Sequence, residues 1–172
     1  MNDRKTQFSE CRRYRYALWR EWATPDLLTA QTIMQIPSSY LMVIGLNPST
    51  ADETQDDPTI RRCIDFAKRW GFGALCMTNL FAWRDTKPEN MKRAANPVGE
   101  ANHHHILQCA DGAARVLGAW GKHGSFMQQD LNAFRWVTSI GKDIYCLRKN
   151  KDGSPQHPLY VPADTIPFIW TP

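Results

Sequence analysis

Residues 41–50 read Leu41-Met42-Val43-Ile44-Gly45-Leu46-Asn47-Pro48-Ser49-Thr50. The short apolar run Leu41–Ile44 predicts a strand buried on both faces, and the Gly-Leu-Asn-Pro-Ser-Thr that follows ends it in a turn. Downstream, Asp57-Pro58 places an N-cap ahead of a proline at the first helical position. Ile60, Cys63, Ile64, Ala67 and Trp70 then recur at helical spacing, and Gly71 closes the helix. Ala74–Met77 reads as a second buried strand ending at Thr78-Asn79.

A third unit repeats the rhythm. Residues 102–111 predict a helix and 114–120 a strand. Residues 125–139 predict one helix with Phe126, Leu131, Phe134 and Val137 facing the core, and 144–147 a fourth strand. Upstream, Tyr14, Tyr16, Leu18 and Trp22 fall at even positions, which suggests a half-buried strand. Pro25 to Pro37 supports no assignment.

Strands alternating with helices imply right-handed crossovers and a parallel sheet covered on both sides. The expected fold class is α/β, a three-layer α/β/α sandwich around a central, mainly parallel four-stranded sheet, with an N-terminal strand or hairpin added. One domain over 1–172 is expected, with 1–40 as a basic extension and 41–160 as the core. Ligands of such folds sit beyond the carboxyl ends of the strands. That rule selects the loops holding Asn47-Pro48-Ser49-Thr50, Asn79-Leu80-Phe81, Trp120–His123, and the segment running to His157.

The chain has 172 residues, 42% hydrophobic and 22% charged, which is an ordinary globular composition. The apolar run from Tyr40 to Leu46 is too short to span a bilayer, and residues 1–13 are too polar for a secretory signal. No membrane association and a cytoplasmic location are expected. Five cysteines, odd in number and scattered, suggest neither a disulfide framework nor a Cys-x-x-Cys metal site. The net charge of +4 lies wholly within residues 1–20, where Arg4, Lys5, Arg12, Arg13, Arg15 and Arg20 outnumber Asp3 and Glu10. Such an arm either meets a polyanion or is a solvated basic edge strand.

No phosphate-binding loop, dinucleotide fingerprint, nucleophile elbow or zinc-protease motif occurs, so no cofactor is expected. His103-His104-His105 lie on a predicted helix, where adjacent side chains diverge by about 100°, so the three cannot face one metal. No metal is expected.

Gly45-Leu46-Asn47-Pro48-Ser49 at the end of the first strand resembles the first motif of the uracil-DNA glycosylase superfamily, most closely its mismatch-specific branch. Thr78-Asn79, with Arg84 and Pro88 downstream, is similar to the strand end that supplies that superfamily's base-reading asparagine. Val116-Leu117-Gly118 and His157-Pro158 resemble its third strand and the start of its closing motif. A narrower resemblance rests on Asn47–Asp52, on Asp57-Pro58-Thr59 with Arg61-Arg62, and on Asn79–Ala82. It is to a bacterial and phage family known only as domain of unknown function 1643.

The superfamily resemblance implies N-glycosidic hydrolysis of an extruded base in DNA. Charge grows on the departing base in the transition state, so hydrogen-bond donors to it and a positioned water accelerate cleavage. His157 would donate to a base oxygen, Asn47 would hold the water, and Asn79 would read the base edge. Among the aromatic residues, Phe81, Phe66 or Trp83 would stack on the base. Pro48, Ser49, Thr50, Arg84 and Pro158 would shape the phosphate-facing loops, with Asp57, Thr59, Arg61 and Arg62 in a second rank. Ser49 stands where the superfamily has glycine, and Leu159 where its closing motif has serine. These departures point away from plain uracil excision and leave a modified base open as the target. Two alternatives remain: a non-catalytic nucleic-acid or nucleotide binder, and an enzyme of free nucleotides or nucleosides.

Overall fold

The computed structural model describes residues 4–22 and 39–172. The unassigned stretch from Pro25 to Pro37 lies outside them. In chain order the strands are β1 Arg4–Phe8, β2 Arg15–Glu21, β3 Tyr40–Gly45, β4 Ala74–Asn79, β5 Arg115–Gly118, β6 Ile144–Cys146 and β7 Phe168–Ile169. The α-helices are α1 Pro58–Arg69, α2 Pro88–Arg93, α3 Asn102–Asp111 and α4 Gln129–Ser139. The fold is α/β, with one mixed seven-stranded sheet in the order β1-β2-β4-β3-β5-β6-β7.

β3 pairs in parallel with β4 on one side and β5 on the other, and β5 pairs in parallel with β6. β1, β2 and β7 run antiparallel to their neighbours. The chain therefore leaves β3 first toward β4 and later returns to its other flank. A crevice opens at such a reversal, beyond the carboxyl ends of the strands. Register places Gly45 beside Asn79 and Ile44 beside Gly118 at that edge.

Alternation along β3 divides the core in two. Met42 and Ile44 pack with Cys76, Val116, and Ile106 and Ala110 of α3. Leu41 and Val43 pack with Leu75, Leu117, and Ile60, Cys63 and Phe66 of α1. Each of these aliphatic side chains contributes about 2 kcal/mol by leaving water. α1 forms where its signals place it: the Asp57 carboxylate accepts the Ile60 N–H at 2.9 Å, Pro58 opens the first turn, and Gly71 takes φ +80° just past the end.

Two expectations need correction. β2 is not half-buried, because β1 and β4 flank it and Arg15, Ala17, Leu18 and Arg20 are all inaccessible. The helix expected over 125–139 is a 3-10 turn at Phe126–Gln128 followed by α4, broken by left-handed backbone at Met127 and Gln128. Leu131 stands only at intermediate burial, and Ala133 and Val137 carry the buried face. The basic arm includes the sheet's edge strand β1, with Arg4 and Lys5 exposed; Arg4 and Arg20 both pair with Asp56, and Arg12 pairs with Glu53. No helix among the described residues is long and apolar enough to cross a membrane.

One irregularity in β2 sets the direction of Arg15. Gln7 opposes Ala17 but Phe8 opposes Arg15, so Tyr16 is the extra residue of a β-bulge. A bulge flips the phase of everything beyond it. Tyr16 turns toward α3 and stacks on His105 at 4.7 Å between ring centres. Arg15 is thereby aimed to the same side of the sheet as Leu18 and Arg20, toward the loop that follows β3.

Candidate functional site

An open cavity of about 670 Å³ lies over the carboxyl ends of β3, β4 and β5. Asn47, Asn79 and His157, far apart in sequence, all line it. So do Ser49, Asp57 and Thr59 among the expected residues. Arg15, Trp120, His123 and Gln156 join them.

Asn47 follows β3. Its Nδ2 donates to the Asp85 carbonyl at 2.7 Å and to the Pro48 carbonyl at 3.2 Å. The Asp85 N–H returns a bond to the Pro48 carbonyl at 3.0 Å. The turn is thus tied to the segment after β4, and Oδ1 is the end of the amide left to accept.

Asn79 ends β4 and is 1% exposed. Its Oδ1 accepts from Arg15 Nη2 at 3.3 Å. A guanidinium only donates, so this contact fixes the amide's orientation and leaves Nδ2 as the group with a hydrogen to offer. A Cβ added at Gly45 would lie 2.7 Å from that Nδ2, so glycine there is what admits the amide. Asn102, the first residue of α3, locks the strand end by donating Nδ2 to the carbonyls of Asn79 and Leu80, each at 3.0 Å. Asn79 therefore presents a donor, where the sequence suggested donor and acceptor together.

Arg15 is 2% exposed. Burial pulls its guanidinium down to about 10, with the neighbouring charges of Asp57 and Asp52 opposing that pull. Nη1 donates to the Ala51 carbonyl at 2.9 Å, while Nε is buried without a partner. A buried cation with an unmatched donor beside an open cavity suits an anionic or carbonyl-bearing ligand.

His157 precedes a 3-10 turn, Pro158–Tyr160, and accepts the Leu159 N–H at Nδ1. With Nδ1 as acceptor the neutral ring carries its hydrogen on Nε2. Burial lowers the pKa of His157, partly countered by Asp57. Asp57, capping α1 from the cavity wall, thus acts electrostatically on both Arg15 and His157. Lys122 and Lys151 stand at the exposed rim, and His123 is held below its ordinary pKa by burial and by Lys92 and Lys122.

The remaining expected residues fall outside this cavity. Phe81 and Phe66 are buried, one in each core cluster, so neither reaches a ligand. Trp120 is the indole on the cavity wall, 2% exposed and packed so closely on Gly124 that a Cβ there would lie 2.0 Å from its ring. Arg61 donates to the Asp56 carbonyl, and Arg62 donates to the carbonyls of Pro158 and Val161. Arg62 therefore holds the turn that presents His157. Pro158 is buried as the first residue of that turn. Thr50, Arg84 and Trp83 line a neighbouring groove with Ser49. The rings of His103 and His105 stack on Trp136 and Tyr16 respectively.

Sequence reasoning missed Arg15, Trp120 and Gln156. The isolated Arg15 among six cations carried no local signal. Trp120 ends a predicted strand, but strand-end rules point to polar side chains there and not to an aromatic ring.

No curated protein and no solved structure matches the chain. A family model described as a protein of unknown function, DUF1643, matches residues 15–159, which take in every strand from β2 to β6 and every cavity-lining residue named above. The chain belongs to the DUF1643 family.

Proposed function

We propose that the protein is a glycosylase-like hydrolase that cleaves the N-glycosidic bond of an extruded, modified base in DNA. The observation that carries this reading is the convergence of Asn47, Asn79 and His157 on one cavity at the sheet's reversal point. On this reading the sheet and its flanking helices are the three-layer arrangement of the uracil-DNA glycosylase superfamily, with β4, β3, β5 and β6 as its four parallel strands. The protein works in the cytoplasm and needs no metal or cofactor.

The groups divide the work as their surroundings dictate. Asn79 Nδ2 donates to a carbonyl on the base edge. His157 Nε2–H donates to a base oxygen as negative charge gathers there, and Arg15 stabilises that charge from beneath. Asn47 Oδ1 orients the water on the far side of the sugar. An amide is too weak a base to deprotonate it, so Asp57, whose second carboxylate oxygen is not used by the helix cap, takes the proton. Trp120 gives the base an aromatic wall.

The test is release of free base, and formation of alkali-labile sites, from a panel of oligonucleotides carrying uracil, mispaired and modified bases. At least one should be cleaved, and His157→Ala should slow it about a hundredfold, as loss of one oxyanion donor does. An intact panel, or cleavage indifferent to Asn47→Ala and His157→Ala, overturns the reading.

A further inference from the structure

A second depression of about 600 Å³ opens beside the cavity. Ser49, Asp85 and Thr86 line both, so the two adjoin across the segments that follow β3 and β4. The outer wall of the second is basic: Arg12 and Arg13 come from the β1–β2 turn, and Arg84 from the segment after β4.

The fold holds these cations together. The Arg84 N–H donates to the Arg13 carbonyl at 2.9 Å, and Arg84 Nη1 donates to the Arg12 carbonyl at 3.2 Å. The guanidinium carbons of Arg12 and Arg84 lie 4.2 and 4.7 Å from the Phe8 ring centre. Arg12 adopts φ +56°, a left-handed conformation uncommon outside glycine. Arg12 is neutralised by Glu53. Arg13 and Arg84 pair with no carboxylate among the described residues, and Arg84 Nε is buried without a partner. Two gathered cations with no ion-pair partner among the described residues, one with an unmatched donor, make a site for an anion, with Asp52 acting on Arg84 only at longer range. Arginine's planar fork fits phosphate oxygens in pairs. Trp83 adds an aromatic face, with Arg13 6.0 Å from its ring centre. Cations interleaved with an aromatic ring are what a nucleic-acid strand requires.

We propose that this groove binds the phosphodiester adjoining the nucleotide seated in the main cavity, so that the protein takes a nucleotide within a strand rather than a free one. This rests on the base-binding reading of the main cavity. The test compares a short fluorescent single-stranded deoxyoligonucleotide with a fluorescent deoxynucleoside monophosphate by anisotropy across a salt series. The wild-type protein should prefer the strand, with affinity falling linearly in log–log form as salt rises. Arg13→Gln alters an exposed side chain and should cut the strand-to-monophosphate affinity ratio about three- to tenfold, reducing the salt slope by about one. Arg84→Lys, keeping charge but losing the fork, should cut the ratio less than Arg84→Gln. If Arg13→Gln and a folded Arg84→Gln leave ratio and slope unchanged, the proposal is overturned, whatever the main cavity does. Asn79→Ala separates the two ideas. If it leaves monophosphate binding intact while Arg13→Gln still weakens the strand, the groove stands and the base-binding reading falls.

Discussion

The amide of Asn79 has its two ends assigned by its neighbours: Arg15 holds Oδ1 and Gly45 leaves room for Nδ2. Asn79→Asp replaces the donor with a second acceptor, yet the new carboxylate would pair with Arg15. Base release should therefore fall about a hundredfold while the thermal midpoint changes little, a split that kinetics and calorimetry together would read. Gly45→Ala should act on the same atom from behind, displacing Nδ2 and Met77 and weakening base binding more than it weakens folding. On the proposed reading the ring of His157 is a neutral donor, and its pKa is lowered chiefly by burial. The unfolded chain binds a proton at the ordinary histidine value while the folded chain resists it. Stability from this group is thus complete above the ordinary range and is lost as pH falls through the lowered folded value. The pH–rate profile should stay flat through neutrality and fall only on its acid side, below the usual histidine pKa.

At the scale of elements, Asp57 joins helix and site. Asp57→Ala should cost about 1 kcal/mol of stability through the lost cap, whereas Asp57→Ser keeps a capping oxygen and should restore most of it. Both remove the charge that raises the His157 pKa. Both also remove the proposed base, so base release should fall sharply in both, and that common loss against unlike stabilities identifies the two roles. Elements with strong local signals were readable in advance. β3 and β4 announced themselves by apolar runs, α1 by its cap, proline and closing glycine, and α3 to the residue. β1, α2 and β7 are short and polar or terminal, and carry no period. The break ahead of α4 falls at Met127 and Gln128, where left-handed backbone is held without any glycine to mark it.

For the molecule as a whole, the site was legible where strand-end rules reach and illegible where distant segments meet. Asn47, Asn79 and His157 follow from counting strands. Arg15 does not, because its burial depends on a hairpin partner and on loop carbonyls far along the chain. The same enclosure predicts the thiol chemistry. Cys63, Cys76, Cys109 and Cys146 are buried, and only Cys11 is exposed, its pKa lowered by the Ser9 hydroxyl. A thiol reagent should titrate one group in the native protein and five after denaturation. The bulge at Tyr16 has a genetic corollary. Removing that single codon would let the hairpin zip without interruption, and plain alternation from Ala17 would keep Arg15 on the face of Leu18 and Arg20, losing only the Tyr16 stack on His105. A one-residue deletion there should therefore leave the cation at the cavity, whereas removing the codons of Tyr16 and Ala17 together would seat Arg15 beside Leu18, turn it toward α3 and give an inert protein.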